Sequence, residues 1–213
     1  SQKIKIKKQI KKGLMQDLLT GKKRLSGFKD KWKTKKLGDL CDIGTGKKNN
    51  QDKIEYGAYP FFVRSQFVER INSYSYDGEA ILIPGEGNIG KIFHYINGKF
   101  DFHQRVYKIS DFKKGVSGKY IYFYIFKNFS RTTKSDSVKA TVDSLRLPTF
   151  TNFKVNIPTL REQESIVDIL TTADEEITGL EKKLEIIKEQ KKYLLNNLIT
   201  GTIRTPENLK INL

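Results

Sequence analysis

A long proline-free stretch near the carboxyl end limits the possible folds of this chain more than any other feature. Between Thr159 and Pro206 no proline occurs, and apolar residues recur at alternating steps of four and three, the spacing of a heptad seam. Thr159–Glu162 has the form of a capping box, and Thr200-Gly201 is typical of a helix end. Such a helix would be roughly 60 Å long, more than one domain needs to cover its core, so we expect coiled-coil packing rather than a single amphipathic core helix. The expected packing positions are Ile166, Leu170, Ile177, Leu180, Leu184, Ile187, Leu194 and Leu198.

The end of this predicted helix is repeated at the start of the chain. At a constant offset of 180 residues, ten identities relate positions 3–24 to positions 183–204, and they include the pairs Thr20/Thr200 and Gly21/Gly201. Lysine bias alone does not produce Leu, Thr and Gly in register. We therefore predict that the chain begins with the end of an earlier copy of the long helix. The predicted segments are a spacer-helix end at 1–26, a globular domain at 27–159, a spacer helix at 160–201 and a tail at 202–213.

The region between the two helices is predicted to be a β-rich domain with some helix, so the fold class is α+β with flanking helices that form coiled coils. One aromatic run, Lys119–Asn128, fits a buried strand or a helix equally well, because periodicity does not separate the two. The predicted strands are Tyr59–Val63, Glu79–Ile83, Lys91–Ile96 and Val106–Ile109, with turns at Asp77-Gly78 and Asn97-Gly98.

Charge is distributed unevenly along the 213 residues. Of the formal net charge of +16, residues 1–36 carry +12, residues 37–159 carry +6 and residues 160–213 carry −2. A basic front and middle favour a polyanionic partner, although a lysine-rich composition also arises from an AT-rich genome. No apolar run approaches the roughly 20 residues that span a bilayer, and no secretory signal is evident, so we expect a cytoplasmic protein without a membrane partner.

Residues that carry out chemistry are scarce. Cys41 is the single cysteine and only His94 and His103 could add imidazole ligands, so we predict no disulfide, no metal and no bound cofactor. The stretch Gly85–Lys91 satisfies a dinucleotide glycine pattern, but a strand rather than a helix is predicted after it, which argues against nucleotide binding. His103 lacks an evident nucleophile or metal partner. We predict a chain that is not an enzyme.

Polar side chains suited to duplex DNA are concentrated in the central domain. Arginine and glutamine can bridge guanine and adenine, serine and threonine adapt to either, and loop lysines contact phosphates. The candidate DNA-binding residues are Lys47, Lys48, Asn49, Arg64, Ser65, Gln66, Asn88, Lys91, His103, Gln104, Arg105, Lys134, Ser135, Lys139, Thr141, Ser144 and Arg146.

These features together resemble the specificity subunit of Type I restriction-modification enzymes, over essentially the whole chain. The order helix, domain, helix and the repeated helix end carry the resemblance more than any short motif. The matching segments are Trp32–Leu40, Ala80–Ile83, Gly87–Gly90, Leu147-Pro148, Ile157–Gln163 and Leu198–Gly201.

The resemblance implies a division of labour between subunits. In that family two recognition domains each bind one half of a bipartite site, and paired helices separate them. Residues 27–159 would be the second recognition domain, and the first would be missing. Modification subunits that use S-adenosylmethionine would dock on the helices and methylate adenine, and a restriction subunit would join indirectly to add ATP-driven cleavage.

Two other interpretations stay open at this point. A half-length chain could self-associate through its heptad seam and so imitate the two-domain parent. The competing class is a coiled-coil assembly module that binds protein without sequence-specific DNA binding. A recognition domain from a fused methyltransferase-nuclease is a third option, which the duplicated helix end disfavours.

Overall fold

The computed structural model describes residues 1–87, 89–136 and 144–204, and of residues 130–136 it describes the backbone alone. The helices are α1 (Gln2–Leu18), α2 (Gly118–Asp136), α3 (Leu147–Thr151) and α4 (Leu160–Ile199). The strands are β1 (Lys33–Lys36), β2 (Asp42–Thr45), β3 (Tyr59–Phe62), β4 (Glu69–Ile71), β5 (Tyr76–Pro84), β6 (His94–Phe102), β7 (Val106–Ser110) and β8 (Lys154–Ile157). The chain forms two compact units, Leu14–Ile169 and Ser1–Gly13 with Leu170–Leu213, which are described in turn.

A six-stranded sheet forms the centre of the unit Leu14–Ile169, with strand order β2-β7-β5-β6-β3-β4. Neighbouring strands are antiparallel except β3 and β6, which run parallel. The middle strand β5 is fully buried from Ala80 to Ile83, and Phe62, Phe100 and Phe102 pack against Ala80 and Leu82. Each buried apolar side chain of this size stabilises the fold by about 1.5–3 kcal/mol. This sheet with its helices confirms the predicted α+β class.

Three of the predicted strands are confirmed, while the boundaries of the fourth and both turns are wrong. The strand predicted from Lys91 begins at His94. Gly78 and Gly98 lie inside β5 and β6, where they pair directly across the ladder with φ values of 150° and 141°. Asp-Gly and Asn-Gly occur in tight turns and also where two glycines pair within a sheet. The local sequence therefore does not distinguish the two structures. Residues 85–93 connect the two strands instead.

The aromatic run that fitted a strand or a helix belongs to helix α2. Tyr120, Phe123 and Phe129 are buried, and the Tyr120 hydroxyl donates to the Asn156 carbonyl oxygen over 2.8 Å. The Phe129 ring lies 5.1 Å from Phe150 and 5.3 Å from Phe153, between ring centroids. Aromatic residues on a helix can bury this area against a sheet as well as strand residues do, which is why composition left the question open.

The two ends of the sequence repeat have the same local structure, which we call the Thr-Gly joint. Thr20 Oγ1 donates to Gln16 O over 2.6 Å, and Thr200 Oγ1 donates to Asn196 O over 2.9 Å. Both glycines adopt the left-handed conformation, with φ of 68° at Gly21 and 71° at Gly201. In each joint the backbone amide two residues beyond the glycine donates to a carbonyl oxygen of the helix. Lys23 N donates to Asp17 O over 3.2 Å, and Ile203 N donates to Asn197 O over 3.1 Å. Helix α1 therefore ends in the same way as α4, and the assignment of residues 1–26 to the end of an earlier spacer helix stays a prediction.

Residues 14–24, which include the first Thr-Gly joint, belong to the unit Leu14–Ile169. Met15, Leu18 and Leu19 are buried there. Arg24 pairs with Glu162, and Trp32 Nε1 donates to the same carboxylate over 3.2 Å. The predicted capping box correctly marked the start of α4, but its Glu162 side chain is held by these distant partners.

In the other unit, residues 1–13 pair with α4 in antiparallel fashion. Lys7 and Lys8 each form a 2.7 Å ion pair, with Glu176 and Glu181 respectively, and Lys11 pairs with Asp174. Leu170 and Ile177 of the predicted seam are buried in this unit, and Leu180 and Leu184 are half-buried. Ile166, at the start of the seam, is buried within the unit Leu14–Ile169.

The second half of the seam is uncovered. Ile187, Leu194 and Leu198 are exposed, and so are the neighbouring apolar residues Ile186, Tyr193, Leu195 and Ile199. The first half of the seam is thus buried or half-buried, and coiled-coil packing along α4 stays a prediction. None of the described helices is both long enough and apolar enough to cross a membrane.

Candidate nucleic-acid interface

Three loops of the unit Leu14–Ile169 meet at the carboxylate of Glu86. Arg64, the second residue after β3, places Nη1 3.2 Å from Glu86 Oε2. Arg105, between β6 and β7, places Nη1 3.1 Å from Glu86 Oε1. We call these three residues the arginine–glutamate cluster. One carboxylate thus holds two guanidinium groups, and the cluster keeps a net charge of +1.

The backbone beneath the cluster is tied together by hydrogen bonds between the loops. The Gly85 amide donates to Arg105 O over 2.8 Å, and the Leu145 amide donates to Gly85 O over 2.6 Å. A Cβ atom at Gly85 would lie 2.8 Å from Cε2 of Tyr107, so the close packing here favours glycine. The stretch Gly85–Lys91 is followed by β6 rather than by a helix, and a phosphate-binding helix start is therefore absent at this described position.

A second set of contacts joins the lysine-rich loop after β2 to the turn after β6. The Gln104 amide donates to Lys48 O over 2.8 Å, and Gln104 Nε2 donates to Asn49 Oδ1 over 2.5 Å. Asn49 makes a further hydrogen bond through its main chain, because its backbone amide donates to Asp52 Oδ2 over 2.7 Å. The fold thereby brings together candidate residues that lie 55 positions apart in the sequence.

The two histidines support loops from the inside. His103 is 5% exposed, and its Nδ1 accepts the Arg105 amide over 2.9 Å. Burial lowers the pKa of His103, and the positive charges of Arg64 and Arg105 lower it further. Nε2 of His94 lies 3.0 Å from Ser65 O, and burial lowers the pKa of this imidazole as well. Both rings are therefore neutral near pH 7.

A cleft of about 370 Å³ opens beside the arginine–glutamate cluster. Its lining is polar for the most part and includes hydroxyl and guanidinium groups. Ser144 is half-buried and forms a β-bridge with Glu86, and Arg146 is exposed just before α3. The lining residues are Thr45, Gly85, Glu86, Gln104, Arg105, Tyr107, Ser144, Leu145 and Arg146.

Most of the remaining candidate residues lie on the same loops. Lys47 and Gln66 are exposed, and Ser65 is half-buried with its Oγ accepting the Phe67 amide over 3.0 Å. Lys91 is exposed near the end of the β5–β6 loop, with no contact to the cluster among those that the structure describes. Lys134 and Ser135 lie on α2, where only the backbone is described, and Asn88, Lys139 and Thr141 lie outside the described residues.

Two residues at this surface were missed by sequence reasoning. Glu86 was passed over because an acid is not expected among DNA-contacting residues, and nothing in its spacing shows that it lies between two arginines. Phe67, which is 82% exposed, follows Arg64-Ser65-Gln66 in the β3–β4 loop. A lone aromatic residue in a polar loop was the signal that could have identified it.

Among residues 1–87, 89–136 and 144–204, no group of three or more His, Cys, Asp or Glu residues is arranged to hold a metal ion. Cys41 is buried, and burial together with Asp42 raises the pKa of its thiol to about 12, so the thiol stays protonated.

Comparison with known proteins places this architecture in a class of DNA specificity modules. The family model described as the Type I restriction modification DNA specificity domain matches residues 29–189. The chain belongs to this family.

Two curated relatives and one solved structure show how far the likeness extends. The EcoDI specificity subunit of Escherichia coli is 30% identical over 169 residues, covering 79% of this chain and 37% of the relative. The MjaVIII specificity subunit of Methanocaldococcus jannaschii is 25% identical over 182 residues, covering 79% of this chain and 42% of the relative. The crystal structure of a Type I system S subunit from M. genitalium shares the fold, with a TM-score of 0.75, 14% identity, and coverage of 90% of this chain and 54% of that one. This chain therefore spans about two fifths of the length of the curated relatives.

Proposed function

We propose that residues 27–159 bind duplex DNA sequence-specifically and recognise one half of a bipartite site. The observation that carries the proposal is the arginine–glutamate cluster beside a polar cleft, within a region of positive net charge. Guanidinium and amide groups held on a rigid sheet are suited to base edges in the major groove, and exposed loop lysines are suited to phosphates. The candidate residues on loops after β2, β3, β5 and β6 form this surface together.

In this proposal the chain carries out no chemistry and recruits subunits that do. Modification subunits, with their own S-adenosylmethionine, dock on the long helices, and a restriction subunit joins through them. Membership of the Type I restriction modification DNA specificity family supports such partner subunits. The cytoplasmic location stays a prediction.

We further propose that two copies of the chain pair through the uncovered half of α4. The repeat supports this proposal: Met15, Leu18 and Leu19 are buried, whereas their counterparts Leu195, Leu198 and Ile199 are 47%, 39% and 81% exposed. Two antiparallel copies of the exposed seam would cover one another and supply two recognition domains per particle.

The oligomeric state tests the pairing. Leu194→Lys combined with Leu198→Lys should lower the mass measured by light scattering from that of a dimer to that of a monomer. Lys192→Ala, an exposed change on the same helix, should leave the dimer unchanged. A wild-type chain that is monomeric at high concentration contradicts the pairing.

Selection of bound duplexes from a random pool tests DNA recognition, with and without the modification subunit. A short enriched sequence is expected, together with an affinity that falls steeply with salt. Association that is weak, insensitive to salt and indifferent to sequence would instead support the alternative of a coiled-coil assembly module, which the exposed seam of α4 also fits.

A further inference from the structure

The arginine–glutamate cluster contains Glu86, an acidic residue inside the candidate interface whose charge opposes DNA. Resting on the proposed DNA recognition, we propose that Arg105 recognises a guanine of the half-site, and that Glu86 is the residue that positions its guanidinium. The half-site bound by this domain therefore contains a G·C pair. The argument uses the contacts of Glu86, the anchoring of Arg105 and the difference between the two arginines.

A carboxylate at a DNA surface is repelled by phosphates, so its presence needs a compensating role. Each oxygen of Glu86 is engaged by a different guanidinium group, at 3.2 Å for Arg64 and 3.1 Å for Arg105. The Arg64 contact is a hydrogen bond, whereas the Arg105 contact is an ion pair through a single nitrogen. The ion pair restrains the position of the Arg105 guanidinium and leaves its other N–H groups for a bidentate contact to O6 and N7 of guanine.

The main chain of Arg105 is held to the same loop that carries Glu86. Its amide donates to His103 Nδ1 over 2.9 Å, and its carbonyl accepts the Gly85 amide over 2.8 Å. Hydrogen bonds thus hold the amide and the carbonyl of Arg105 before any DNA binds, and the ion pair with Glu86 restrains its guanidinium. Pre-organisation of this kind lowers the entropy lost on binding and sharpens base discrimination.

The two arginines are not equivalent. The side chain of Arg105 is 59% exposed and lines the 370 Å³ cleft, whereas that of Arg64 is 42% exposed and lies outside the cleft lining. Arg105 therefore has donors left over for a base edge. Arg64 supplies the second guanidinium that holds the Glu86 side chain in place.

The test is the base preference of the full chain at each position of its selected half-site. Arg105→Lys keeps the charge but loses the planar fork. It should reduce discrimination for one G·C pair by about 5- to 150-fold, the range expected for one bidentate contact, while the other positions keep their preference. Glu86→Gln should reduce preference at that same pair, and Glu86→Asp should restore part of it.

Matched variants separate this effect from a general one. Arg161→Ala and Glu164→Gln remove one charge each at exposed positions on α4 and should leave every base preference unchanged. If Glu86 were merely structural, Glu86→Gln would weaken binding equally at all positions; if it were merely repulsive, it would strengthen binding equally. Either result overturns the inference, as does a selected half-site that lacks guanine and cytosine. Failure of the wild-type chain to enrich any sequence would contradict the proposed function itself.

Discussion

Arg24 donates two hydrogen bonds to Glu162 across 138 positions of sequence, from Nε to Oε1 over 2.5 Å and from Nη2 to Oε2 over 2.7 Å. The guanidinium also lies 5.4 Å from the centre of the Trp32 ring. This contact joins the first residues after α1 to the first turn of α4, within the unit Leu14–Ile169. The Glu162 carboxylate is fully buried, whereas the Arg24 side chain is partly exposed. Loss of Arg24 would therefore leave a buried charge without its partner.

Arg24→Ala should lower the free energy of unfolding by about 3 kcal/mol, because it leaves a buried carboxylate without its cation. The measurement is urea denaturation near pH 7. Lys53→Ala removes one partner of the exposed Lys53–Glu69 pair and should cost less than about 1 kcal/mol. Equal costs for the two variants would show that Arg24 contributes no more than a surface charge.

Gly46→Ala should strongly destabilise the sheet. A Cβ atom at Gly46 would lie 2.0 Å from Phe102 O, and a backbone oxygen inside a sheet cannot easily move away, so a loss of about 3 kcal/mol is expected. Gly13→Ala is the matched change, since a Cβ there meets nothing within 4 Å and the position is helical; it should gain about 1 kcal/mol. Thermal unfolding of both variants provides the comparison, and a tolerated Gly46→Ala would contradict the packing described.

Acidification should destabilise the domain partly through its histidines. Burial lowers the pKa of His103 and His94 from 6.5, so the unfolded chain takes up these protons at a higher pH than the folded chain. The free energy of unfolding is therefore unaffected by these histidines above about pH 7 and decreases as the pH falls below 6.5. Each histidine contributes a slope of at most about 1.4 kcal/mol per pH unit. His103→Asn, which keeps an acceptor for the Arg105 amide, should flatten this slope between pH 7 and 5. An unchanged slope would mean that His103 titrates normally.

Lys47→Ala should weaken DNA binding by the same factor for every sequence. If Lys47 contacts a phosphate, the slope of log affinity against log salt should become shallower by about 0.9. Lys182→Ala, an exposed change on α4, should leave the slope unchanged. A sequence-dependent effect of Lys47→Ala would instead place this lysine at a base edge.

The parts of the fold that sequence predicted best were those fixed by long, regular patterns. The heptad spacing indicated the long helix, and the capping box and Thr200-Gly201 placed its ends within two residues of those of α4. The 180-residue repeat indicated a helix end at the start of the chain, where α1 lies. Short elements depended on tertiary context: Asn97-Gly98 has the composition of a turn but faces Gly78 across two strands. The aromatic run of α2 was undecided because burial on nearly all sides removes the periodicity that distinguishes a helix from a strand.

The candidate interface was predicted by residue type and not by arrangement. Arginine, glutamine and lysine in loops were selected for what they can bind, and the structure brings several of them together around Gly85 and Glu86. Glu86 itself could not be selected in this way, because its role depends on two arginines that are distant in sequence. His103 was selected as a contact, yet its burial makes it a support for the Arg105 backbone.

Each Thr-Gly joint ends a helix with the same hydroxyl-capped turn and the same left-handed glycine. A segment taken from one joint to the other, residues 22–201, is one globular domain followed by one complete long helix. Exchange of that segment between chains would therefore replace a domain together with its own helix, and both junctions would keep the same backbone geometry.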